Sequence, residues 1–302
     1  MSERDAVTGA FSFTGSFIAA ELLERGRQVR TLSRVPSPAH PLAAQVEYAP
    51  LTFDESLAKS LAGVDTLYNT YWVRFERGDS TFDSAVANTA TLLRASANAG
   101  VRRVVQITVA NADRGDRFPY FRGKARIEEL VRSSGLAHAL IRPTLLFGPG
   151  DILFNNIAWA LRRLPMFLVP GDGRYEVQPV SVRDVARIAA DAGATDEDLL
   201  LDAAGPSRFT YLDLVRRIRK AVGGRARIAT APLGVSLAVS RLAGAMLRDV
   251  VITRDELESL QAGLLVSESP PLGRERVEDW LAAAAATLGQ TYTSELRRNF
   301  SG

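Results

Sequence analysis

The stretch from Asp5 to Arg34, DAVTGAFSFTGSFIAAELLERGRQVRTLSR, leaves this chain few folds to choose from. Ala6–Val7–Thr8 reads as a short strand and Gly9 to Gly15 as a turn. Phe17, Ile18, Leu22 and Leu23 recur at helical spacing, and Gly26 stands where a helix C-cap glycine belongs. Val29 to Leu32 is a second strand. A strand–turn–helix–strand unit of this length is a mononucleotide-binding half whose turn faces a pyrophosphate. Backbone N–H groups at the helix start point toward the phosphates, and the helix dipole favours negative charge there. Gly9 and Gly15 have the outer spacing of a glycine turn, with Ser12 in the middle place, where it brings both a hydroxyl and a Cβ. Gly9, Phe11, Ser12, Phe13, Thr14 and Gly15 are therefore the candidate phosphate contacts. The alternative is an ordinary turn between a buried strand and its helix.

The end of the second strand bears on cofactor choice. A dinucleotide site of the NAD type places Asp or Glu about 20 residues past the turn, on the ribose 2′-hydroxyl. No acid lies between Val29 and Pro36; Ser33 and Arg34 stand there instead. A guanidinium suits a 2′-phosphate because its fork binds phosphate oxygens in pairs. The expectation is NADP(H), with NAD(H) as the other option. A solvated surface arginine is the plain alternative for Arg34.

Strand and helix periods alternate along the chain, which implies a doubly wound parallel α/β sheet. Further strands are expected at Gln45–Tyr48, Asp65–Asn69, Arg103–Thr108 and Ala137–Arg142, and helices at Ser80–Ala99 and Phe118–Ser134. After the turn Phe147–Gly148–Pro149–Gly150 the pattern changes into an excursion, and Leu199–Ala203 rejoins the main sheet. The expected organisation is a dinucleotide-binding domain of residues 1–150 with 180–204. A smaller, mainly helical substrate lobe holds 151–179 with 205–302. At 302 residues there is ample chain for both cores. Pro232 to Leu247 is apolar, with Arg241 and Arg248 at its polar edge. A core-facing helix is the expectation there, with a membrane-surface or dimer helix as the alternative.

Several chemistries are excluded early. The chain has no Cys and two His, His40 and His138, which removes disulfides, thiolate metal sites and Cys nucleophiles. A histidine-built metal site or a Ser–His triad is not expected, so no metal is assigned. The net charge is +3, and the arginines are scattered rather than blocked. This is not a nucleic-acid footprint. Met1–Asp5 is polar and no apolar run reaches the ~18 residues that span a bilayer. A cytoplasmic protein with a small-molecule partner is expected; the oligomeric state is left open.

The order of landmarks resembles the short-chain dehydrogenase/reductase superfamily. It is most similar to the atypical or extended members of the NAD-dependent epimerase/dehydratase and NmrA-like kind, including relatives of the nucleotide-binding accessory subunit of respiratory complex I. The matching pieces are Thr8 to Gly15, Val29 to Arg34, Asn88 in the long helix and Tyr120-Phe121-Arg122-Gly123-Lys124. Arg142-Pro143-Thr144 through Gly150 and Pro179 to Ala186 complete the order. The resemblance implies a Rossmann-type fold. It places Asn69, Thr70, Thr108, Lys124 and Pro143 beside the cofactor with the glycine turn.

Tyr120 and Lys124 lie four residues apart, on one helix face. An ammonium beside a phenol favours phenolate and makes Tyr a usable acid/base near neutral pH. In the family the pair handles the proton on the substrate oxygen while hydride moves at the nicotinamide, and the Lys also contacts the ribose. The third catalytic group of the family is a Ser or Thr after the fifth strand. Here Ala110 occupies that place, with Thr108 as the substitute. Tyr71, Trp72, Arg74 and Phe75, at the carboxyl edge of the fourth strand, are expected to line a substrate pocket with Phe121, Phe154 and Asn155. Aromatic walls suit a ring-bearing carbonyl such as a quinone.

The expected function is an NADPH-dependent carbonyl reductase using Tyr120, Lys124 and Thr108. Two alternatives stand beside it. One is a non-catalytic NADP(H)-binding redox sensor or assembly subunit, favoured by Ala110. The other is an NAD-linked sugar epimerase or dehydratase.

Overall fold

The computed structural model describes residues 4–300. The first part of the chain runs β1 (Arg4–Thr8), α1 (Phe13–Glu24), β2 (Gln28–Ser33), β3 (Val46–Pro50), α2 (Leu57–Ser60), β4 (Thr66–Asn69) and α3 (Phe82–Asn98). It continues through β5 (Arg103–Ile107), α4 (Pro119–Arg132) and β6 (Ala137–Pro143). Then come β7 (Leu145–Phe147), α5 (Ile152–Arg163), β8 (Met166–Pro170), β9 (Glu176–Val177), β10 (Pro179–Ser181), α6 (Val182–Gly193) and β11 (Leu199–Ala203). The rest is β12 (Phe209–Thr210), α7 (Tyr211–Ala221), β13 (Arg227–Ala231), α8 (Leu233–Leu247), α9 (Arg254–Gln261), α10 (Val277–Ala284) and α11 (Glu295–Phe300). The chain forms two compact units, residues 1–143 with 182–203, and 144–181 with 204–302.

The first unit is built on a seven-stranded sheet in the order β11-β6-β5-β4-β1-β2-β3, every pair parallel. The chain starts at β1, winds outward to β3, then crosses back to β4 and winds the other way. The strand order therefore reverses between β1 and β4, the point at which open α/β sheets bind ligands. Helices cover both faces, so the strands read as continuous apolar runs: β4 and β5 are buried along their whole length. One core joins Ala6, Leu32, Leu67, Val104 and Leu140 of the strands to Leu57, Leu92 and Ile127 of the helices. Helix α3 opens with a capping box between Thr81 and Ser84, and α4 with Pro119 in its first turn.

The second unit has its own core, in which Phe147, Phe154 and Trp280 pack ring on ring with Leu161, Leu214 and Ile218 around them. Its strands form three small two-stranded sheets: β7 with β10, β9 with β12, and β8 with β13. The turn expected at Phe147 therefore ends a short strand. The unit is less purely helical than its sequence pattern suggests.

Helix α8 departs from expectation. Only Ser236, Leu237 and Gly244 of it are buried, and Val235, Val239, Leu242 and Met246 are exposed. A core-facing helix was expected because packing accounts for most apolar helices. Here the helix is apolar on both faces, and only one is packed. Among the described residues no helix is long and apolar enough to cross a membrane.

Candidate functional site

The turn after β1 is set by two glycines with different tasks. Gly9 has φ +66°, a conformation that costs other residues about 1–2 kcal/mol. Its N–H donates to the Leu32 carbonyl at 2.8 Å and its carbonyl accepts from Ser12 N at 2.8 Å. Gly15 is needed for space: a Cβ there would stand 2.1 Å from the Gly9 carbonyl oxygen. The first turn of α1 thus lies directly on the loop. Ser12 is the exposed N-cap residue and its side chain caps no N–H group. No acid occupies the first turn of α1. Phe11 rests on His40 with ring centres 4.8 Å apart, Phe13 meets the edge of Phe17, and Thr14 is half-buried in the first turn. This geometry fits a bound pyrophosphate: a close-packed glycine turn, an uncompensated helix start and an exposed hydroxyl at its mouth.

At the end of β2 the Ser33 hydroxyl donates to the Val35 carbonyl at 2.9 Å. Arg34 is exposed and forms no ion pair among the described residues. Its guanidinium fork is therefore available to an anion.

Asn69 and Thr70 hold the β1 and β4 strand ends together. The Thr8 hydroxyl donates to Asn69 Oδ1 at 2.9 Å, and Asn69 Nδ2 donates to Gln106 Oε1 at 2.7 Å. The Thr70 hydroxyl donates to the Thr8 carbonyl at 2.6 Å. Asn69 is fully buried, and both ends of its amide are used inside the sheet. Thr70 stays half-buried beside Gly9. Pro143 is buried at the end of β6, where its carbonyl accepts from Ala110 N at 2.9 Å. Ala110 itself is fully buried, with no hydroxyl to offer.

Helix α4 carries Tyr120 and Lys124, the pair expected to handle the proton. Its buried residues Phe121, Lys124, Glu128 and Val131 follow the helical period. Tyr120, Lys124, Glu128 and Arg132 therefore form a four-residue ladder along the helix. Lys124 is only 4% exposed. Its ammonium donates to the Ile107 carbonyl at 3.2 Å and lies 4.7 Å over the Trp72 ring and 6.0 Å from the Tyr120 ring centre. Burial pushes this amine down from its ordinary 10.5 to about 7, against the opposing pull of the Glu128 charge. Tyr120 is half-buried in an aromatic box, edge-on to Trp72, Phe82 and Phe121. Trp72 also stacks on Phe82 at 5.6 Å, and its buried Nε1 has no hydrogen-bond partner among the described residues. Gly123 makes room for this indole, since a Cβ there would lie 2.6 Å from it.

Thr108 has another engagement. Its hydroxyl donates to Glu128 Oε1 at 2.8 Å, and Arg142 closes on the same carboxylate with Nε at 2.8 Å and Nη2 at 2.5 Å. All three residues are buried. Glu128 was missed at the sequence level. Its signal was an acid four residues beyond Lys124 on an otherwise apolar face.

The expected pocket residues have the following surroundings within their own units. Tyr71 accepts a hydrogen bond from Asn88 Nδ2 at 2.9 Å and packs on Phe53. Arg74 is half-buried and Phe75 buried. Phe121 is buried against Phe118, in a place Gly115 leaves open for it. Phe154 and Asn155 are both engaged inside the second unit. Phe154 is fully buried between Phe147 and Trp280, leaving no surface for a ligand. The Asn155 amide donates to the Thr291 carbonyl and Thr293 hydroxyl and accepts from Gly289 N. It ties α5 to the segment after α10. Among the described residues no cluster of His, Cys, Asp or Glu is arranged to hold a metal ion.

A family model described as NAD(P)H-binding matches residues 9–158. The chain is 32% identical over 179 residues to a 3-beta-hydroxysteroid dehydrogenase of Mycolicibacterium neoaurum, a match covering 49% of this chain and 49% of that protein. It thus spans about half of that relative's length. It is 29% identical over 269 residues to the 4-hydroxy-2-methyl-3-oxo-4-farnesyl-3,4-dihydroquinoline-1-oxide ketoreductase of Stigmatella aurantiaca, covering 78% of this chain and 80% of that one. In fold it is similar to the triphenylmethane reductase of Citrobacter sp., a structure complexed with NADP(H), with a TM-score of 0.77 at 20% identity, covering 94% of this chain and 100% of that one.

Proposed function

We propose that this chain, whose residues 9–158 match an NAD(P)H-binding family model, is an NADPH-dependent reductase of a carbonyl on an apolar, ring-bearing small molecule. The observation that carries this reading is Lys124, an ammonium fully enclosed under Trp72, one helical turn from Tyr120. A buried lysine with no carboxylate bound to it is costly, and such groups are found where chemistry uses them. The names of the hydroxysteroid dehydrogenase and the ketoreductase support a ketone–alcohol pair as the substrate class.

The NADP(H) form is supported by Ser33 and Arg34 and by the lack of an acid from Val29 to Pro36. The Gly9–Gly15 turn would hold the pyrophosphate, Arg34 the 2′-phosphate and Lys124 the ribose. The cofactor supplies the hydride when bound. Tyr120 gives its phenolic proton to the carbonyl oxygen as negative charge develops there. Lys124 stabilises the phenolate left behind, and the Trp72 face favours the charged amine while keeping water from it. Thr108 anchors Glu128 rather than orienting substrate, and Ala110 has no hydroxyl, so Tyr120 handles the substrate oxygen without a neighbouring hydroxyl from either position. A cytoplasmic location is part of the same reading.

The test is single-turnover NADPH oxidation over a panel of cyclic ketones and quinones. Tyr120→Phe keeps the ring in its aromatic box and removes the proton, so the rate should fall ~10²–10⁴-fold with NADPH affinity unchanged. Turnover that survives in the Phe variant refutes the mechanism. A second reading, a non-catalytic NADP(H) sensor, is favoured by Ala110 and by the commitment of Thr108 to Glu128. It predicts tight NADPH binding with no oxidation on any substrate.

A further inference from the structure

Helix α8 is enclosed on one side only. Ser236, Leu237 and Gly244 face its own unit, and Asp249 pins its C-terminal end by accepting from the Tyr292 hydroxyl, Glu295 N and Leu296 N. On the opposite side Val235, Val239, Leu242 and Met246 recur at spacings of four, three and four residues, one continuous stripe. Leu242 is 66% exposed and Met246 79%. Ala238 and Ala245 widen the stripe, and both are exposed. Leu164 and Met166, at and just before the start of β8, are exposed as well. Among the described residues, six of the ten large apolar side chains that stand exposed therefore fall in α8, at the start of β8 or just before it. An apolar surface that is concentrated, ordered and pinned marks an interaction face.

Charge decides what covers it. From Leu214 to Arg248 there are eight cationic residues and no Asp or Glu, while the rest of the chain is net acidic. Arg241 sits at the border of the stripe and Arg248 at its C-terminal end, both exposed. Arg227, also exposed, lies next to Met166 in the β8–β13 pair. The next acid, Asp249, is buried and fully engaged. A second copy placed on this stripe would set arginine against arginine with no acid on either helix to compensate. An anionic bilayer offers apolar depth under the stripe and phosphates at the level of the arginines.

We propose that α8 is a peripheral membrane-docking helix that lies in the headgroup region of an anionic bilayer, Val235, Val239, Leu242 and Met246 inward and Arg241 and Arg248 at the phosphates. This assignment is independent of the reductase reading. The test is co-sedimentation of the full chain with phosphatidylcholine vesicles, with and without about one-third phosphatidylglycerol. The wild type should sediment with the anionic vesicles alone, and less so as salt rises. The Leu242→Glu/Met246→Glu double variant changes two exposed positions and should keep the wild-type melting curve while its vesicle partition falls ~10-fold or more. Arg241→Glu should weaken binding to anionic vesicles. Failure of the wild type to bind anionic vesicles, equal binding to neutral ones, or binding untouched by the double variant overturns the proposal. So does a concentration-dependent dimer, seen by light scattering, that the double variant disperses.

Discussion

Replacing Lys124 by Met asks whether the buried ammonium is retained for chemistry at a cost in stability. The side chain is 4% exposed, with one hydrogen bond to the Ile107 carbonyl and the Trp72 ring 4.7 Å away. Burial lowers its pKa from 10.5 to about 7 in the folded protein. At about 1.4 kcal/mol per unit, the charged form is penalised on folding by something on the order of 4–5 kcal/mol. That difference already includes what the Ile107 hydrogen bond and the Trp72 contact give the charged form. Met fills nearly the same volume with none of these terms. Lys124→Met should therefore be more stable than the wild type by about 4–5 kcal/mol below the folded pKa. Below the folded pKa near 7 the amine is charged in both states and the whole penalty applies. Between there and 10.5 the unfolded chain holds a proton that the folded chain has released, so wild-type stability rises with pH. The Met variant lacks that rise, and the two curves converge toward alkaline pH. Urea unfolding of both proteins from about pH 6 to pH 10 measures the difference. A Met variant less stable than wild type at neutral pH, or two parallel curves, refutes the reasoning. The same variant should lose NADPH oxidation.

Gly15→Ala puts a Cβ 2.1 Å from the Gly9 carbonyl oxygen; the turn must open, at about 2–3 kcal/mol, and an unchanged urea midpoint would show that the loop is slack. Glu128→Gln leaves Arg142 buried without its carboxylate and should cost about 3–5 kcal/mol; in a double-mutant cycle with Arg142→Met the two losses should not add, and additivity would mean the pair does not interact. Arg34→Ala should weaken NADPH binding by about 1–3 kcal/mol and spare NADH; calorimetric titration showing equal losses would remove Arg34 from the 2′-phosphate.

Local pattern alone was enough for the elements of the first unit. Alternating strand and helix periods, Gly9 and Gly15 around a turn, and a Tyr and Lys one helical turn apart are all properties of neighbouring residues. They lead directly to a parallel sheet, a close-packed glycine turn before α1 and a Tyr–Lys pair on α4. What stayed hidden depends on residues far apart in the chain. That Thr108 serves Glu128, 20 residues on, is decided by where β5 and β6 bring Arg142. The enclosure of Lys124 rests on Trp72, which the loop after β4 folds across α4. Phe154 and Asn155 have the composition of a pocket wall, yet the ring cluster with Trp280 and the segment after α10 claim them. Strands β7 and β10, three residues each, are too short to announce themselves, and the pairing of β13 with β8 joins segments far apart in the chain. Helix α8 is the clearest division between the two sources. Its sequence specifies an apolar helix edged with arginine, but periodicity reports how much apolar surface a helix has, and only tertiary packing decides which part of it meets protein.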